Sequence, residues 1–264
     1  MTGDGLQERA TAPGLRQREK EQRWAERGAR ILDALTTLIT RWGYGKTTVD
    51  DIAREAGVAK GTVYLHWPTK GAMLQALIER EEQQWSAQIS ERIAADPRGG
   101  TVSSLYRHAL VLSARSPLLR ALLTRDHEAL GEWMRSPEIR ARAHQDTEAR
   151  HALIREMRAV GLLRTDLSVD VQSYLITALT YGILTVDAYM PADLVPPFEE
   201  IAAAFAVIVQ RGFELEMPDR ATLERGRAVI AAVMSRLVDT ETASGDALED
   251  GGVAEPARAK EDTL

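Results

Sequence analysis

Three observations predict an all-α fold for this chain of 264 residues. Apolar residues recur at spacings of three to four from about residue 16 to residue 238. No stretch alternates with the period of two that a half-buried strand requires. Proline and glycine divide the chain into about ten helical segments. We therefore expect a small N-terminal helical domain, joined through a shared helix to a larger helical bundle.

The separators give approximate bounds for each helix. We expect a first helix at 16–42, two short helices up to about residue 66, and then helices at 69–95, 101–114, 117–134, 137–160, 168–190, 197–215 and 219–238. Polar, glycine-containing ends predict a flexible N-terminal tail at 1–15 and a disordered acidic C-terminal tail at 239–264.

Composition narrows the class of protein and its compartment. The chain has no cysteine, which excludes disulfides, thiolate metal sites and a cysteine nucleophile, and fits a reducing cytoplasm. Residues 1–30 are rich in Arg, Glu and Gln, so we predict no signal peptide. The most apolar regions, 175–186 and 201–209, are too short and interrupted to cross a bilayer. We expect a cytoplasmic protein with no membrane partner.

Charge is distributed unevenly along the chain. The formal net charge is −6, from 33 Lys and Arg against 39 Asp and Glu. Residues 1–80 hold 13 basic and 10 acidic side chains, a balance of +3, which leaves −9 for the remainder. A basic front and an acidic back suit a protein that presents its N-terminal end to a polyanion.

The most informative motif lies between residues 47 and 67. Thr48 followed by Asp51 is a capping-box pattern and marks the start of a short helix. Gly57 can supply a left-handed turn at the end of that helix. A second short helix begins at about Lys60. Two short helices joined by a turn that contains glycine form a helix-turn-helix.

The second of these helices carries side chains suited to a nucleic-acid groove. Lys60 lies at its N-terminus, where backbone N–H groups also attract phosphate. Gly61 lacks a side chain, so its backbone can approach DNA closely, and Thr62 can reach a base edge or a thymine methyl. Further candidates for contacts to DNA are Tyr64, His66 and, at the start of the next helix, Lys70.

This stretch resembles the DNA-binding domain of the TetR family. The shared pattern is Thr-x-x-x-Ile-Ala-x-x-Ala-Gly-Val, then x-x-Gly-x-x-Tyr-x-His, an aromatic residue, and lysine three residues later. The matching positions are Thr48, Ile52, Ala53, Ala56, Gly57, Val58, Gly61, Tyr64, His66, Trp67 and Lys70. The resemblance covers residues 24–80 and is specific, because so many residues at fixed spacing rarely coincide.

The resemblance implies a ligand-responsive transcriptional regulator, expected to be a repressor, that binds a palindromic operator in double-stranded DNA as a homodimer and is released by a small-molecule inducer. It implies phosphate contacts from Thr47, Thr48, Tyr64, His66 and Lys70. It implies base reading by Lys60, Gly61 and Thr62. Residues 16–68 would form the DNA-binding domain, and residues 69–238 the regulatory, ligand-binding and dimerisation domain.

Two positions depart from the family pattern. The family usually has Ser or Thr where Ala59 stands, at the expected N-cap of the second motif helix. Losing that cap typically costs about 1 kcal/mol of helix stability. The common Phe of the family is Trp67 here, which still fills a core position.

The resemblance fades after about residue 80, where it implies only the type of domain. The family's regulatory domain normally dimerises through two late helices, so by position we expect a dimer face on 168–190 and 197–215. Both helices carry small residues that permit close packing: Ala178, Gly182, Ala202, Ala203 and Ala206. Two alternatives stay open. These helices can form the subunit core instead, or the face can lie on 219–238, with Val229, Ile230, Val233 and Leu237.

A pocket for the effector is expected among the helices of 101–190. The candidate lining residues are Tyr106, His108, Trp133, Met134, Met157, Tyr174 and Tyr181. Aromatic and Met residues at helical spacing also serve as ordinary core. The sequence names no ligand, and an apolar or amphipathic compound is the default for such a cavity.

Other classes of function have weaker support. Glu148 and His151 have the Glu-x-x-His spacing of di-iron bundles, but no second such pair occurs. His144 and His151 could share a helix face, yet exposed histidines in a helix rich in Arg and Glu need no metal. We therefore expect no enzyme, cofactor or metal. The alternatives are a helical-bundle metalloprotein and a helical adaptor that no longer binds DNA.

Overall fold

The computed structural model describes residues 12–215 and 218–249, and these residues are helical almost throughout. Within them lie eleven α-helices: α1 Ala12–Trp42, α2 Val49–Ala56, α3 Lys60–His66, α4 Lys70–Ala95, α5 Val102–Arg115, α6 Pro117–Thr124, α7 His127–Leu130, α8 Pro137–Ala159, α9 Val169–Thr185, α10 Phe198–Phe213 and α11 Arg220–Glu249. Short 3-10 helices lie at Gly131–Arg135, Val186–Tyr189 and Ala192–Leu194. The all-α prediction is confirmed.

Side-chain caps begin most of these helices. In each, a Ser or Thr oxygen accepts a hydrogen bond from the backbone N–H three residues later, which satisfies a donor that the helix itself leaves unpaired. The capping residues are Thr48, Thr69, Thr101, Ser116, Ser136 and Ser168. Pro117 and Pro137 follow two of these caps at positions where a helix needs no N–H. They therefore start helices as well as separate them.

The helix predicted at 117–134 was wrong in its extent, because the chain turns after Thr124. Arg125 adopts a left-handed conformation with φ 52° and closes α6 without a glycine. The Asp126 carboxylate then accepts a hydrogen bond from the N–H of Ala129 at 3.0 Å and starts α7. The break is local and contains no proline or glycine, so the sequence pattern did not reveal it.

Two hydrophobic cores share the long helix α4. Met73 and Leu77, near its start, are buried in an N-terminal core with α1, α2 and α3. Ile89 and Ile93, near its end, are buried in a C-terminal core with α5, α8, α9, α10 and α11. The expected helix shared between two parts of the chain is therefore present. Helix α6 also joins the N-terminal core, through Leu118 and other side chains.

The last helix packs closely on the loop before α5. A Cβ placed on Gly226 of α11 would lie 2.1 Å from the carbonyl oxygen of Gly100, so no other residue fits this crossing without a backbone shift. Ile230 and Val233 continue the contact into the C-terminal core. Helix α11 runs on to Glu249, past the predicted end at 238. The remaining parts of the predicted tails, 1–11 and 250–264, lie outside the described residues.

Candidate nucleic-acid interface

Helix α2 begins with the predicted capping box. The Thr48 hydroxyl accepts a hydrogen bond from the N–H of Asp51, and the Asp51 carboxylate accepts one from the N–H of Thr48, both at 3.2 Å. The hydroxyl of Thr48 also donates to that carboxylate at 2.6 Å. These hydrogen bonds lower the pKa of Asp51 and keep it ionised. Ile52, fully buried, then holds α2 in the N-terminal core.

The turn between the two motif helices depends on Gly57. Its φ of 65° and ψ of 38° place it in the left-handed region, where a side chain is unfavourable. The N–H of Val58 donates to the carbonyl of Ala53 at 2.9 Å and closes the end of α2. The predicted left-handed turn is therefore confirmed, and it sets the angle at which α3 leaves α2.

Helix α3 is held by one face and presents the other to solvent. Val63 is fully buried in the N-terminal core, and Trp67 packs beside it. On the opposite face Lys60, Gly61 and Tyr64 are exposed, with 46% of the Tyr64 surface accessible. A helix fixed from behind, with its polar and aromatic residues outward, matches the geometry of a recognition helix.

Gly61 has no structural reason to be glycine within this chain. Its φ is not positive, and a Cβ built on it would meet no atom within 4 Å. Thr62 beside it is half-buried. The open space over Gly61 leaves room for a partner that approaches the backbone closely.

Ala59 is the N-cap residue of α3 and makes no side-chain hydrogen bond, because its side chain is apolar.

Lys60 is paired across the motif in the free protein. Its ammonium group donates to the Asp50 carboxylate at 2.8 Å, and both side chains are about half exposed. The hydrogen bond to Asp50 raises the pKa of Lys60, so the lysine stays charged. An exposed pair of this kind contributes little to stability. A phosphate or a base edge can therefore replace Asp50 as the partner of Lys60.

Three of the predicted contact residues point inward. Thr47 is 1% exposed, and its hydroxyl donates to the carbonyl of Gly43 at 2.9 Å. Lys70 donates to the carbonyl of Tyr44 at 2.5 Å and lies 3.9 Å from the centre of the Tyr44 ring. Burial lowers the pKa of Lys70. The side chains of Thr47 and Lys70 thus hold the loop before α2, and their predicted phosphate contacts need a different side-chain position.

His66 is the third of these residues. Its ring stacks on Trp24 of α1 with centroids 3.7 Å apart, and its buried Nε2 has no hydrogen-bond partner. Burial, together with the charge of Arg27, lowers the pKa of His66 and favours the neutral ring. In this position the ring anchors α1 to the end of α3, and the predicted phosphate contact from His66 needs a different side-chain position.

Two residues of this surface were not predicted from the sequence. Leu65 is 72% exposed, four residues after Gly61 and on the same face of α3. An exposed apolar side chain there can contact a thymine methyl. Its position four residues after Gly61 was the feature of the sequence that could have identified it. Trp24 was missed because its partner, His66, is 42 positions away in the sequence.

A second exposed surface lies on α9 and α10. Tyr174, Ala178 and Tyr181 recur at helical spacing and are exposed, and Val207 and Ile208 of α10 are exposed as well. The segment Val169–Tyr189 has a mean hydropathy of 1.2 and is 22% buried, so by length and composition alone it could cross a membrane. Exposed apolar residues that recur along one helix face are typical of an interaction site.

The five predicted dimer-face residues divide between that surface and the core. Ala178 is exposed, and Gly182, Ala203 and Ala206 are half-buried. Ala202 is fully buried among residues of the C-terminal core, so its placement on a dimer face was wrong. The competing helix α11 uses Ile230 and Val233 inside its own subunit.

The seven predicted pocket residues do not meet in one site. Trp133 and Met134 belong to the N-terminal core, whereas Tyr106 and Met157 belong to the C-terminal core. The His108 ring lies 3.0 Å from the Asp96 carboxylate. The four aromatic and Met residues named first therefore fill two separate cores. The remaining two residues, which are exposed on α9, are Tyr174 and Tyr181.

The structure instead shows a half-open cleft of about 290 Å³ between α5, α6 and the start of α10. Val111, Ala114 and Phe198 supply apolar walls, and two ion pairs border the opening. Those pairs are Arg115 with Glu199 at 3.1 Å and Arg120 with Asp187 at 2.7 Å. Among the described residues, no three His, Asp or Glu side chains cluster as a metal site would require.

The fold and the exposed face of α3 form a helix-turn-helix of the kind that DNA-binding proteins use. Residues 31–77 match the family of bacterial regulatory proteins described as the tetR family. The regulator UidR of Escherichia coli strain K12 is 26% identical over 159 residues, which cover 59% of this chain and 78% of UidR. TtgR of Pseudomonas putida is 33% identical over 111 residues, which cover 40% of this chain and 53% of TtgR.

A comparison of structures supports the same fold. NalD, the secondary repressor of the MexAB-OprM multidrug efflux pump in Pseudomonas aeruginosa, superposes with a TM-score of 0.54 at 21% identity. The superposition covers 74% of this chain and 98% of NalD. The chain is therefore similar to transcriptional regulators of the TetR family, and the match to the family model itself is confined to residues 31–77.

Proposed function

We propose that the protein is a homodimeric repressor that binds a palindromic operator through α3 and leaves it when a small-molecule effector binds. The observation that carries this proposal is the outward face of α3, where Lys60, Gly61 and Tyr64 are exposed on a helix fixed by the buried Val63. The repressor role is supported by NalD, which is a repressor with the same fold.

We assign direct roles at the DNA to the exposed residues of the motif. Lys60 gives up Asp50 to contact a base edge or phosphate, and Gly61 lets the backbone approach the groove. Thr62, half-buried, reaches a base, and Tyr64 reaches a phosphate. Thr48 caps α2, whose N–H groups point toward the backbone of the duplex.

The dimer is proposed to form through the exposed apolar surface of α9 and α10. Tyr174, Ala178 and Tyr181 are exposed on α9, Val207 and Ile208 are exposed on α10, and the small side chain of Ala178 allows a partner helix to approach closely. A two-fold dimer presents two recognition helices one helical turn of DNA apart, or a multiple of it, which matches a palindrome. This arrangement covers the apolar residues without a membrane and agrees with a cytoplasmic location.

The effector is proposed to act through α4 and α6, because both helices contribute to the N-terminal core. Leu118 and Ala121 of α6 are buried there, while Arg120 between them donates to the carbonyl of Leu184 at 2.6 Å and to Asp187 at 2.7 Å. A ligand in the cleft beside Arg120 would therefore shift a helix that supports the DNA-binding domain. The expected coupling free energy is about 1–3 kcal/mol.

This coupling is tested with a compound that binds the protein and therefore raises its melting temperature. Such a compound, found by thermal-shift screening of apolar and amphipathic molecules, should weaken operator binding by about five- to 150-fold. Equal operator affinity with and without several such compounds would contradict the release mechanism and leave DNA binding itself in place.

The substitution Tyr64→Ala tests the role of α3. The variant should bind an operator at least about tenfold more weakly, because one exposed side chain is removed from each of two recognition helices. Leu123→Ala is the matched control, since Leu123 on α6 has the same exposed fraction of 46%. Fluorescence anisotropy measures affinity, and sedimentation confirms that the dimer is intact. If Tyr64→Ala unfolds the protein, or binds as tightly as the control, the assignment is wrong.

A further inference from the structure

Helix α1 is longer than the N-terminal core requires. It has 31 residues, yet its first buried residues are Gly28 and Ile31. Every residue from 14 to 26 is exposed. We refer to residues 12–27 as the N-terminal extension. The extension buries no apolar core of its own, so a partner outside the subunit is the natural reason for its length.

One face of this extension is basic. Arg16, Lys20, Arg23, Arg27 and Arg30 follow one another at spacings of four, three, four and three, which places all five on one side of the helix. They form a basic stripe of about 21 Å, at 1.5 Å per residue. Four of the five side chains are exposed, and Arg27 is half-buried.

The acidic residues of the extension do not cancel the stripe. Glu19, Glu21 and Glu26 lie off its centre line, and the five basic residues of the stripe outnumber them. Glu19 pairs with Arg23 at 3.2 Å, but both side chains are about two-thirds exposed. Exposed pairs along a helix are weak and screened by salt. Arg23 can therefore exchange Glu19 for a stronger anion.

The stripe is joined to the end of the recognition helix. Trp24 stacks on His66, the last residue of α3, and Arg27 lies near enough for its charge to act on the same ring. The buried Gly28 allows this approach, since a Cβ there would lie 3.4 Å from His66 Nδ1. The basic surface of α1 is thus continuous with the proposed DNA-binding surface of α3.

We propose that the basic stripe of Arg16, Lys20, Arg23, Arg27 and Arg30 is a second DNA-binding surface, which binds phosphates of the duplex flanking the operator. This inference rests on the proposed function of α3. Two observations favour DNA over an anionic membrane. The stripe is continuous with α3, and the extension lacks the broad apolar face that a membrane-surface helix needs, with Leu15 its one large exposed aliphatic residue among 14–27.

The test compares two triple variants of the full-length chain. The stripe variant Arg16→Gln, Lys20→Gln, Arg23→Gln removes three charges from the stripe. The control variant Arg18→Gln, Arg155→Gln, Arg220→Gln removes the same charge at exposed positions away from it. The probes are an operator selected by the wild-type protein from random duplexes, once trimmed to its core and once with about two helical turns of flanking DNA on each side.

On the long duplex, the stripe variant should bind at least about tenfold more weakly than the wild type and the control variant. The slope of log affinity against log salt should fall by roughly 0.9 for each phosphate that the variant no longer neutralises. On the trimmed duplex, the three proteins should bind alike. Unchanged affinity and slope of the stripe variant on the long duplex would overturn the inference. The same holds if the stripe variant binds anionic phospholipid vesicles more weakly than the control variant but binds the long duplex equally well.

The two levels of failure are distinguishable. If the wild type selects no operator, the proposed function of α3 fails and the inference fails with it. If the wild type selects an operator and the Tyr64→Ala variant loses it, while the stripe variant matches the control on both duplexes, only the inference fails. Circular dichroism of both triple variants shows whether they remain as helical as the wild type.

Discussion

Gly57 and Gly61 lie four residues apart and have opposite requirements. Gly57 needs the absence of a side chain for its backbone conformation, because its φ is 65°. Gly61 has an ordinary helical backbone and open space around it, so the chain itself would accept a larger residue. One glycine therefore serves the fold, and the other leaves room for the proposed partner.

The pair Gly57→Ala and Gly61→Ala separates these roles. Gly57→Ala should lower the free energy of unfolding by about 1–2 kcal/mol, the typical cost of a left-handed alanine. Gly61→Ala should leave it unchanged or raise it by up to about 1 kcal/mol, since alanine favours a helix. Only Gly61→Ala should retain full stability and yet bind DNA about ten- to hundredfold more weakly. Urea unfolding and anisotropy measure the two effects. Tight operator binding by Gly61→Ala would remove Gly61 from the interface.

His66 makes the contact between α1 and α3 sensitive to pH. Its pKa lies below the ordinary value of 6.5, so the folded protein prefers the neutral ring. As the pH falls through about 6.5, the unfolded chain takes up the proton first. The stabilisation from the stacked ring is therefore complete above that pH and is lost progressively below it.

The variant His66→Phe should keep the stacking on Trp24 and lose this pH dependence. Between about pH 7.5 and 5.5, the melting temperature of the wild type should fall more than that of His66→Phe, which has no imidazole ring to protonate at this position. An NMR titration of His66 gives its pKa directly. A value at or above 6.5 would show that the ring is not buried in solution.

At the scale of single residues, the sequence predicted chemistry better than orientation. The capping box of Thr48 and the left-handed Gly57 follow from local backbone rules and are confirmed. The inward positions of Thr47 and Lys70 depend on the loop around Tyr44, which a motif does not describe. The burial of the His66 ring depends on a tertiary contact with α1.

At the scale of helices, α9 has an exposed apolar face that no other element of the subunit covers. Its apolar residues outnumber those that the C-terminal core buries, whereas α11 directs Ile230 and Val233 inward. Sequence periodicity made both helices candidates for the dimer face. It identifies an apolar face but does not show which residues cover that face. The contacts of α11 within its own subunit favour α9 and α10 as the dimer face.

The substitution Ala178→Arg should dissociate the dimer. Ala178 is exposed in the subunit, so the variant should fold, but a charged side chain cannot be buried without a partner. Ala231→Arg is the matched control, at an exposed alanine of α11. Sedimentation equilibrium should give a monomer for the first variant and a dimer for the second. The reverse result would move the dimer face to α11.

At the scale of the whole molecule, the two cores share helix α4, and α6 links the N-terminal core to the end of α9. Helix α4 contributes Leu77 to the N-terminal core and Ile89 to the C-terminal core, and α6 contributes Leu118 to the first while Arg120 holds the end of α9. In the proposed mechanism, a displacement near the cleft would reach the DNA-binding domain through these packed helices. The sequence predicted the shared helix but not the cleft, because the walls of the cleft come from distant parts of the chain.

The uneven distribution of charge is also a property of the whole molecule. The first 80 residues carry a balance of +3 and the rest −9, so long-range attraction to a polyanion would favour approach by the N-terminal end. The exposed face of α3 and the basic stripe of α1 lie at that end. The acidic remainder disfavours contacts of the regulatory half with phosphates.

Specific binding to DNA is the central claim, and one titration tests it most directly. The full-length protein is titrated by fluorescence anisotropy against the DNA flanking its own gene and against a scrambled duplex, at about 50 and 200 mM salt. We predict that one palindromic segment binds at least about 10³-fold more tightly than the scrambled duplex, with an affinity that falls steeply with salt. Equal and weak binding to both duplexes would contradict specific DNA binding by this protein.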